Sequence, residues 1–378
     1  MKLIVKLFIG MLVGVGIGLL GVDFLTRLAV TVKLLFGQFL GFVIPFIILF
    51  FITSGVASLG KSQGKMVGVT VGTAYVSTLL AGTLAFFVAK FIMPMVATES
   101  TAITEGATFQ PFIEIEILPL MGVITAVAMA FLFGIGIAKT KSATMKSFFD
   151  EGKEIIERCI MKILIPFLPI YIAGIFAELT AAGKVYETLS IFGLVLLVVV
   201  ATHWLWLCVQ FTTAGFIAGQ SPLRTLKTML PAYFTGVGTM SSAATIPVTL
   251  NQVKKNRVKE EVADFAVPLC ATIHLSGSMI TIVITSMAVM TVLSDLSVPS
   301  FGAMLSVIVM LGVVMIAAPG VPGGAIVAAL GVLTSMLGFS EAAIGLMMAL
   351  YMAQDSFGTA TNVTGDGAIT MIVDKVNK

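Results

Sequence analysis

The sequence predicts an all-α membrane protein, and three observations predict it. Of 378 residues, 58% are hydrophobic and only 11% charged, against roughly 45–50% and about 25% in a soluble domain. Apolar runs of about 20 residues recur along the chain, each long enough to cross a hydrocarbon core roughly 30 Å thick. Lysine and arginine gather in alternate loops, which is how a repeatedly crossing chain records its sidedness. Apolar helices in a soluble core would not recur so often without amphipathic elements between them.

Six spans come first, at 3–22, 27–57, 66–97, 117–138, 145–179 and 185–219. The first run, "LIVKLFIGMLVGVGIGLL", has no small-residue cleavage site and reads as a helix, not a removed signal peptide. The fifth, "MKSFFDEGKEIIERCIMKILIPFLPIYIAGIF", is too long for one straight crossing and turns from charged to apolar. It must tilt, bend or begin as an amphipathic surface helix.

Basic residues mark one side. Lys2 and Lys6 mark the first end, Lys61 and Lys65 lie between the second and third spans, and Lys139, Lys141 and Lys146 between the fourth and fifth. Arg224, Lys227, Lys254, Lys255, Arg257 and Lys259 belong to the same side, whereas "ATESTAITEGATFQPFIEIE" holds four glutamates and no Lys or Arg. Both termini are therefore expected in the cytoplasm, with the chain in the cell's inner (plasma) membrane among its lipids. Asp23, Arg27 and Lys33 fall on the outer side against this rule. The net charge of +3 says little about partners, and no nucleic-acid partner is expected. Cys159, Cys208 and Cys270 lie in or beside apolar segments without metal-like spacing and read as small core residues.

After Gly219 the pattern breaks. "TLKTMLPAYFTGVGTMSSAATIPVTLNQVKKN" holds two stretches too short to span, meeting at Ser241, Ser242 and Thr245, with basic residues at both ends. It reads as a re-entrant hairpin entered from the cytoplasm. "FGAMLSVIVMLGVVMIAAPGVPGGAIVAALGVLTSMLG" is interrupted by two prolines and three glycines. Irregular backbone at membrane depth is tolerated only where it is buried in protein or lines a wet cavity. Each hairpin is followed by a polar-studded span, 258–293 and 341–375, which makes an inverted repeat, and paired interruptions point to a transporter's binding site.

The last span carries "YMAQDSFGTATNVTGDGAI". At about 100° per residue, Asp355, Thr359, Asn362 and Asp366 fall within about 60° of one another along roughly 16 Å. A carboxylate at the bilayer centre costs at least roughly 2.5–3.5 kcal/mol, so it faces a partner, a cavity or an ion. With few basic residues outside the loops, a cation or a ligand amine is the natural counter-charge.

Together these motifs resemble the dicarboxylate/amino-acid:cation symporter family, the glutamate-transporter-like fold, over nearly the whole chain. The resemblance is most specific in "SSAATIPVT", "GVPGGAI" and "NVTGD", and inverted repeats are documented in that family. It implies eight transmembrane helices, two re-entrant hairpins and an elevator-type homotrimer. Residues 1–65 and 112–182 would be scaffold (helices 1–2 and 4–5). Residues 66–97 (helix 3) and 183–378 would be transport domain, the latter with helix 6, hairpin 1 at 221–256, helix 7, hairpin 2 at 299–337 and helix 8.

By the same resemblance, Asp355 would hold a substrate's α-amino group. Asn362, Thr359, Ser242 and the first hairpin tip with Ser241 would hold its α-carboxylate. Ser278 would line the site, and Val321, Pro322 and Gly323 would close over it. Two sodium ions are implied, with no organic cofactor. One would lie on Asp366 with carbonyls of Cys270, His274 and Asn362; the other on backbone near Thr272, Met315, Ile316 and Ala318.

Two departures refine this. Acidic-amino-acid members carry an arginine where Gly358 stands, or at the first hairpin where Met240 stands. A second substrate carboxylate would be buried unpaired here, and "QDS" before Gly358 resembles the serine/threonine branch. The expected substrate is a small neutral amino acid, with a proton-coupled or an acidic, dicarboxylate-carrying member as the alternative. "ATIHLSGS" stands where the family has Asn-Met-Asp-Gly, which removes the carboxylate of a third sodium site. His274 is then either a neutral histidine satisfied by span 3, where Ser77 and Thr78 are available, or a proton site. His203, in "ATHWLWL", reads as an interfacial or packing residue.

Neither rival class fits the pattern. An intramembrane aspartyl protease needs its two aspartates on facing helices, and a channel needs a continuous polar pore. The chain is therefore not expected to be an enzyme.

Overall fold

The computed structural model describes residues 3–59, 65–97, 109–183, 185–293, 296–316, 318 and 322–377. Lys2, Lys61, Glu99, Glu105 and Val321 lie outside these residues. The backbone is all-α. In chain order it forms α1 (Leu3–Leu20), α2 (Asp23–Leu59), α3 (Lys65–Ala97), α4 (Val123–Thr140), α5 (Ala143–Cys159), a π-helical turn (Ile160–Leu164), α6 (Ile165–Ala181) and α7 (Val185–Ala218). Then follow α8 (Pro222–Thr239), α9 (Ser242–Lys255), α10 (Glu260–Ile273), α11 (Ser276–Val292), α12 (Phe301–Met315), α13 (Gly324–Leu337) and α14 (Glu341–Val376). Among the described residues, five helical runs are long and apolar enough to cross a membrane: Asp23–Ala57, Lys65–Pro94, Ala143–Ala181, Leu189–Ala218 and Glu260–Val292. Leu80, Phe91, Leu132, Leu197 and Phe216 stand exposed on α3, α4 and α7, a surface suited to lipid.

Helices α1, α2, α4, α5 and α6 pack on one another, and α3 and α7 to α11 gather around α14. Small residues draw α1 onto α6. A Cβ at Gly10 would lie 2.3 Å from the Pro169 carbonyl oxygen, and one at Gly14 would lie 2.3 Å from that of Ala173. With no hydrophobic drive between helices in lipid, such close backbone approach supplies the packing.

The charges expected on the outer side, against the sidedness rule, have partners. Lys33 Nζ donates to Glu178 Oε2 at 2.5 Å, joining α2 to α6. Arg27 Nε donates to the Gln110 carbonyl at 2.8 Å, with its guanidinium 4.5 Å from the centre of the Phe112 ring. They are local fasteners between segments and record nothing about sidedness.

Two spans differ from expectation, the fourth and the one after the first hairpin, while the fifth begins as an amphipathic helix as expected. The fourth span begins at Val123, not 117, and residues 109–122 run non-helically. Pro111 and Pro119 disfavour helix for the residues before them. The segment is tied to α2 instead, through Phe112 N to Thr31 Oγ1 (2.8 Å) and Ile117 N to Gln38 Oε1 (3.2 Å). The fifth span takes the bent form: amphipathic α5 meets α6 through the π turn, and such insertions account for helix bends. The span expected at 258–293 is two helices, interrupted at His274 and Leu275.

Of the cysteines, Cys270 is buried, Cys159 partly so and Cys208 exposed. The core assignment therefore fails for Cys208, because an apolar span can turn any small residue towards lipid.

Candidate functional site

The site is built around α14, whose 36 residues run unbroken. Asp355, Thr359, Asn362 and Asp366 are all buried, as one polar stripe on a single helix face requires. Three interruptions in neighbouring helices converge on that stripe.

The first is the tip between α8 and α9. Met240 takes a left-handed conformation (φ 53°) and ends α8, and the Ser241 hydroxyl accepts from Ala244 N at 3.2 Å to start α9, an N-cap. Gly236 lets α8 approach α14, since a Cβ there would lie 2.8 Å from Ala360 Cα.

The second is the break between α10 and α11. Asn362 Oδ1 accepts from Gly277 N (2.8 Å) and Ser278 N (3.3 Å), and its Nδ2 donates to Ser278 Oγ at 3.0 Å. A side chain of α14 thus satisfies amide groups that the break would orphan. One of the two Asn362 amide hydrogens remains for a ligand.

The third interruption lies between α12 and α13. Gly323 (φ 77°) begins α13 in the left-handed region that suits glycine. Its N–H donates to Asp355 Oδ2 at 2.7 Å.

Between them lies a small cavity of about 30 Å³. Asp355, Thr359, Asn362, Ser242, Ser278 and Thr272 supply its polar wall; Met240, Leu275, Ala271, Ala318 and Ala325 the apolar one; Tyr351 completes it. Among the described residues, no lysine or arginine is on the wall.

Deeper along the stripe, His274 Nδ1 lies 2.9 Å from Asp366 Oδ1. Its Nε2 lies 3.0 Å from Ser77 Oγ of α3 and 3.2 Å from Gln210 Nε2 of α7. With Nδ1–H donating to the carboxylate, Nε2 is left as the acceptor for the hydroxyl and the amide, so a neutral imidazole satisfies every contact. Asp366 Oδ2 is buried with no hydrogen-bond partner. Buried anionic oxygens need a proton donor or a cation, and this one suits a hard ion such as sodium, whose usual ligands are oxygens.

The match to known proteins decides the family: residues 3–376 match the sodium:dicarboxylate symporter family. The chain belongs to that family. It is 29% identical over 283 residues to excitatory amino acid transporter 1 of Ambystoma tigrinum, covering 70% of this chain and 50% of that protein. The human protein of that name is 26% identical over 276 residues, with the same coverage. The serine/threonine transporter SstT of Acinetobacter baylyi is 28% identical over 257 residues, covering 66% of this chain and 63% of that one. The chain spans about half the length of the excitatory amino acid transporters it matches. Family and relatives are transporters, not enzymes.

Of the residues the family resemblance assigns to substrate, Asp355, Thr359, Asn362, Ser242 and Ser278 share the cavity wall, and Gly323 bonds to Asp355. Ser241 caps α9 just behind the tip, and Pro322 is partly buried beside Gly323. Gly358 is not on the wall; a Cβ there would lie 3.4 Å from Thr281 Oγ1 and 3.6 Å from Ser278 N, against α11. Of the residues it assigns to cations, His274 and Asp366 meet directly, while Cys270 is buried and its carbonyl accepts from His274 N at 2.8 Å. Thr272 and Ala318 share the cavity wall, and the Met315 carbonyl accepts from Ala318 N at 3.0 Å, next to Ile316.

Sequence reasoning missed Gln210 and Tyr351. Of the two readings open for His203 the structure gives packing, not interfacial: it is fully buried, its Nε2 2.9 Å from the Gly277 carbonyl and 3.1 Å from Thr281 Oγ1. A signal was present: His203 and Gln210 are seven residues apart, within about 20° on a helix. Two polar groups on one face of an apolar span point towards protein.

Proposed function

We propose that this chain is a sodium-coupled symporter for small neutral amino acids such as serine, threonine and alanine. One observation carries the reading. Asp355 is a buried carboxylate that accepts a backbone N–H and lies beside the Tyr351 hydroxyl, on a cavity wall with no basic side chain among the described residues. An ammonium group is the counter-charge such a wall lacks, and a second carboxylate would be repelled there.

On this reading the segment around Gly323 moves aside, and Asp355 exchanges the Gly323 N–H for the substrate's ammonium. The α-carboxylate takes the amide groups of the first hairpin tip at Ser241 and Ser242, the Thr359 hydroxyl and the remaining Asn362 N–H. The second hairpin, with Val321 to Gly323, then closes over the ligand. Sodium, carried with the substrate, takes the free Asp366 oxygen and the carbonyls of Cys270, His274 and Asn362. A second ion uses backbone at Thr272, Met315, Ile316 and Ala318. The third ion's place is filled by the His274 imidazole held between Asp366, Ser77 and Gln210.

The two packing groups support a scaffold (residues 1–65 and 112–182) and a transport domain (66–97 and 183–378). They would move against each other as an elevator in a homotrimer of eight-span subunits, with both termini in the cytoplasm.

The test is uptake into proteoliposomes under an inward sodium gradient. Serine, threonine and alanine should enter and compete with one another, while aspartate and glutamate should not compete. Inhibition by micromolar aspartate would overturn the neutral-substrate reading in favour of an acidic one.

A further inference from the structure

The Tyr351 side chain is one of the largest fully buried in the protein. Its hydroxyl neighbours Asp355 and Ser278 yet makes no hydrogen bond of good geometry. Leaving a buried hydroxyl unsatisfied costs free energy, and such groups in native proteins call for an explanation. Here the unsatisfied group is on the wall of the substrate cavity.

Tyr351, Asp355 and Thr359 follow one another at intervals of four residues on α14, about 6 Å per step along the axis. If Asp355 takes the ammonium and Thr359, with the first hairpin tip, takes the carboxylate, the substrate's Cα lies between them. Its side chain must then leave on the side away from the carboxylate, towards Tyr351. Leu275, Ala318 and Ala325 give this cavity apolar wall, and the Ser278 hydroxyl lies beside Tyr351. Ser278 already accepts from Asn362 Nδ2, so a substrate side chain there meets the phenol hydroxyl as the polar group not otherwise tied in.

We infer that the Tyr351 hydroxyl is the specificity-determining group of this site, bonding a hydroxyl on the substrate's β-carbon, so that serine is preferred to alanine. This rests on the neutral-amino-acid reading above and narrows it. Serine's single polar atom beyond Cβ gives the phenol a better-placed partner than it has in the empty site, and alanine gives it none. Pockets built to bond a substrate hydroxyl discriminate against the analogue without it.

The experiment titrates L-serine and L-alanine into detergent-purified full chain in sodium buffer, for wild type and Tyr351→Phe. The wild type should bind serine on the order of tenfold more tightly than alanine, the scale of one buried neutral hydrogen bond. Tyr351→Phe should weaken serine about tenfold and change alanine by less than about threefold, collapsing the ratio towards one. Alanine binding by the variant reports that its site is folded. A ratio unchanged in Tyr351→Phe, an equal loss of both ligands, or a wild type without preference would overturn this inference and leave the neutral-substrate reading standing. A wild type that binds neither would overturn both.

Discussion

Replacing Asp355 by asparagine separates binding of a substrate amine from closure of the site. The Asp355 carboxylate accepts the Gly323 N–H at 2.7 Å, and an asparagine carbonyl oxygen in the same place accepts it too. The change from a charge-assisted to a neutral hydrogen bond is worth about 1 kcal/mol, so the ligand-free protein should melt within a few degrees of wild type. The ammonium loses its only full counter-charge on the wall. Breaking one side of a buried charged pair costs about 2–5 kcal/mol, roughly thirty-fold to several-thousand-fold in affinity. Ligand-dependent stabilisation in detergent with sodium reads both effects. At one hundred times its dissociation constant a ligand stabilises wild type by about 2.7 kcal/mol; at the same concentration a hundred-fold weaker variant gains only about 0.4 kcal/mol. Asp355→Asn should therefore lose most of the thermal shift from serine while keeping its ligand-free melting temperature. A variant that binds serine within threefold of wild type would refute the assignment of the amine to Asp355.

Two further outcomes are expected. Balancing substrate against sodium gradients in proteoliposomes should give a reversal potential that fits about two sodium ions and is the same at two pH values, since Nδ1 of His274 donates to Asp366 while Nε2 accepts from Ser77 and Gln210, which leaves no contact for a further proton; a potential that follows the proton gradient, and ceases to in His274→Asn, would establish proton coupling instead. Gly14→Ala should lower the melting temperature, because its Cβ would lie 2.3 Å from the Ala173 carbonyl oxygen and overpacking costs about 1–3 kcal/mol; Gly16→Ala, on the same helix with nothing within 4 Å, should be neutral or stabilising by up to about 1 kcal/mol, and equal effects at both would refute the packing account.

The apolar all-helical class, the breaks between α8 and α9 and between α12 and α13, and the polar stripe of the last helix were legible in the sequence, because each has a local cause. Bilayer thickness sets the length of an apolar run, glycine, proline and serine mark where a hairpin turns, and helical periodicity alone places Asp355, Thr359, Asn362 and Asp366 on one face. Other features depend on groups far apart in the chain. The helix break at His274 and Leu275 carries no proline, and its freed amide groups are held by Asn362, more than 80 residues away. Arg27 and Lys33 defied the charge rule because Gln110 and Glu178 answer them from other segments. Tyr351 reads as ordinary apolar mass until the converging interruptions leave its hydroxyl buried and unpartnered beside Asp355. Local periodicity states which face of a helix is polar. What that face meets depends on how distant elements pack, and so the partners of Asp355 and Asp366 were decided only by the tertiary structure.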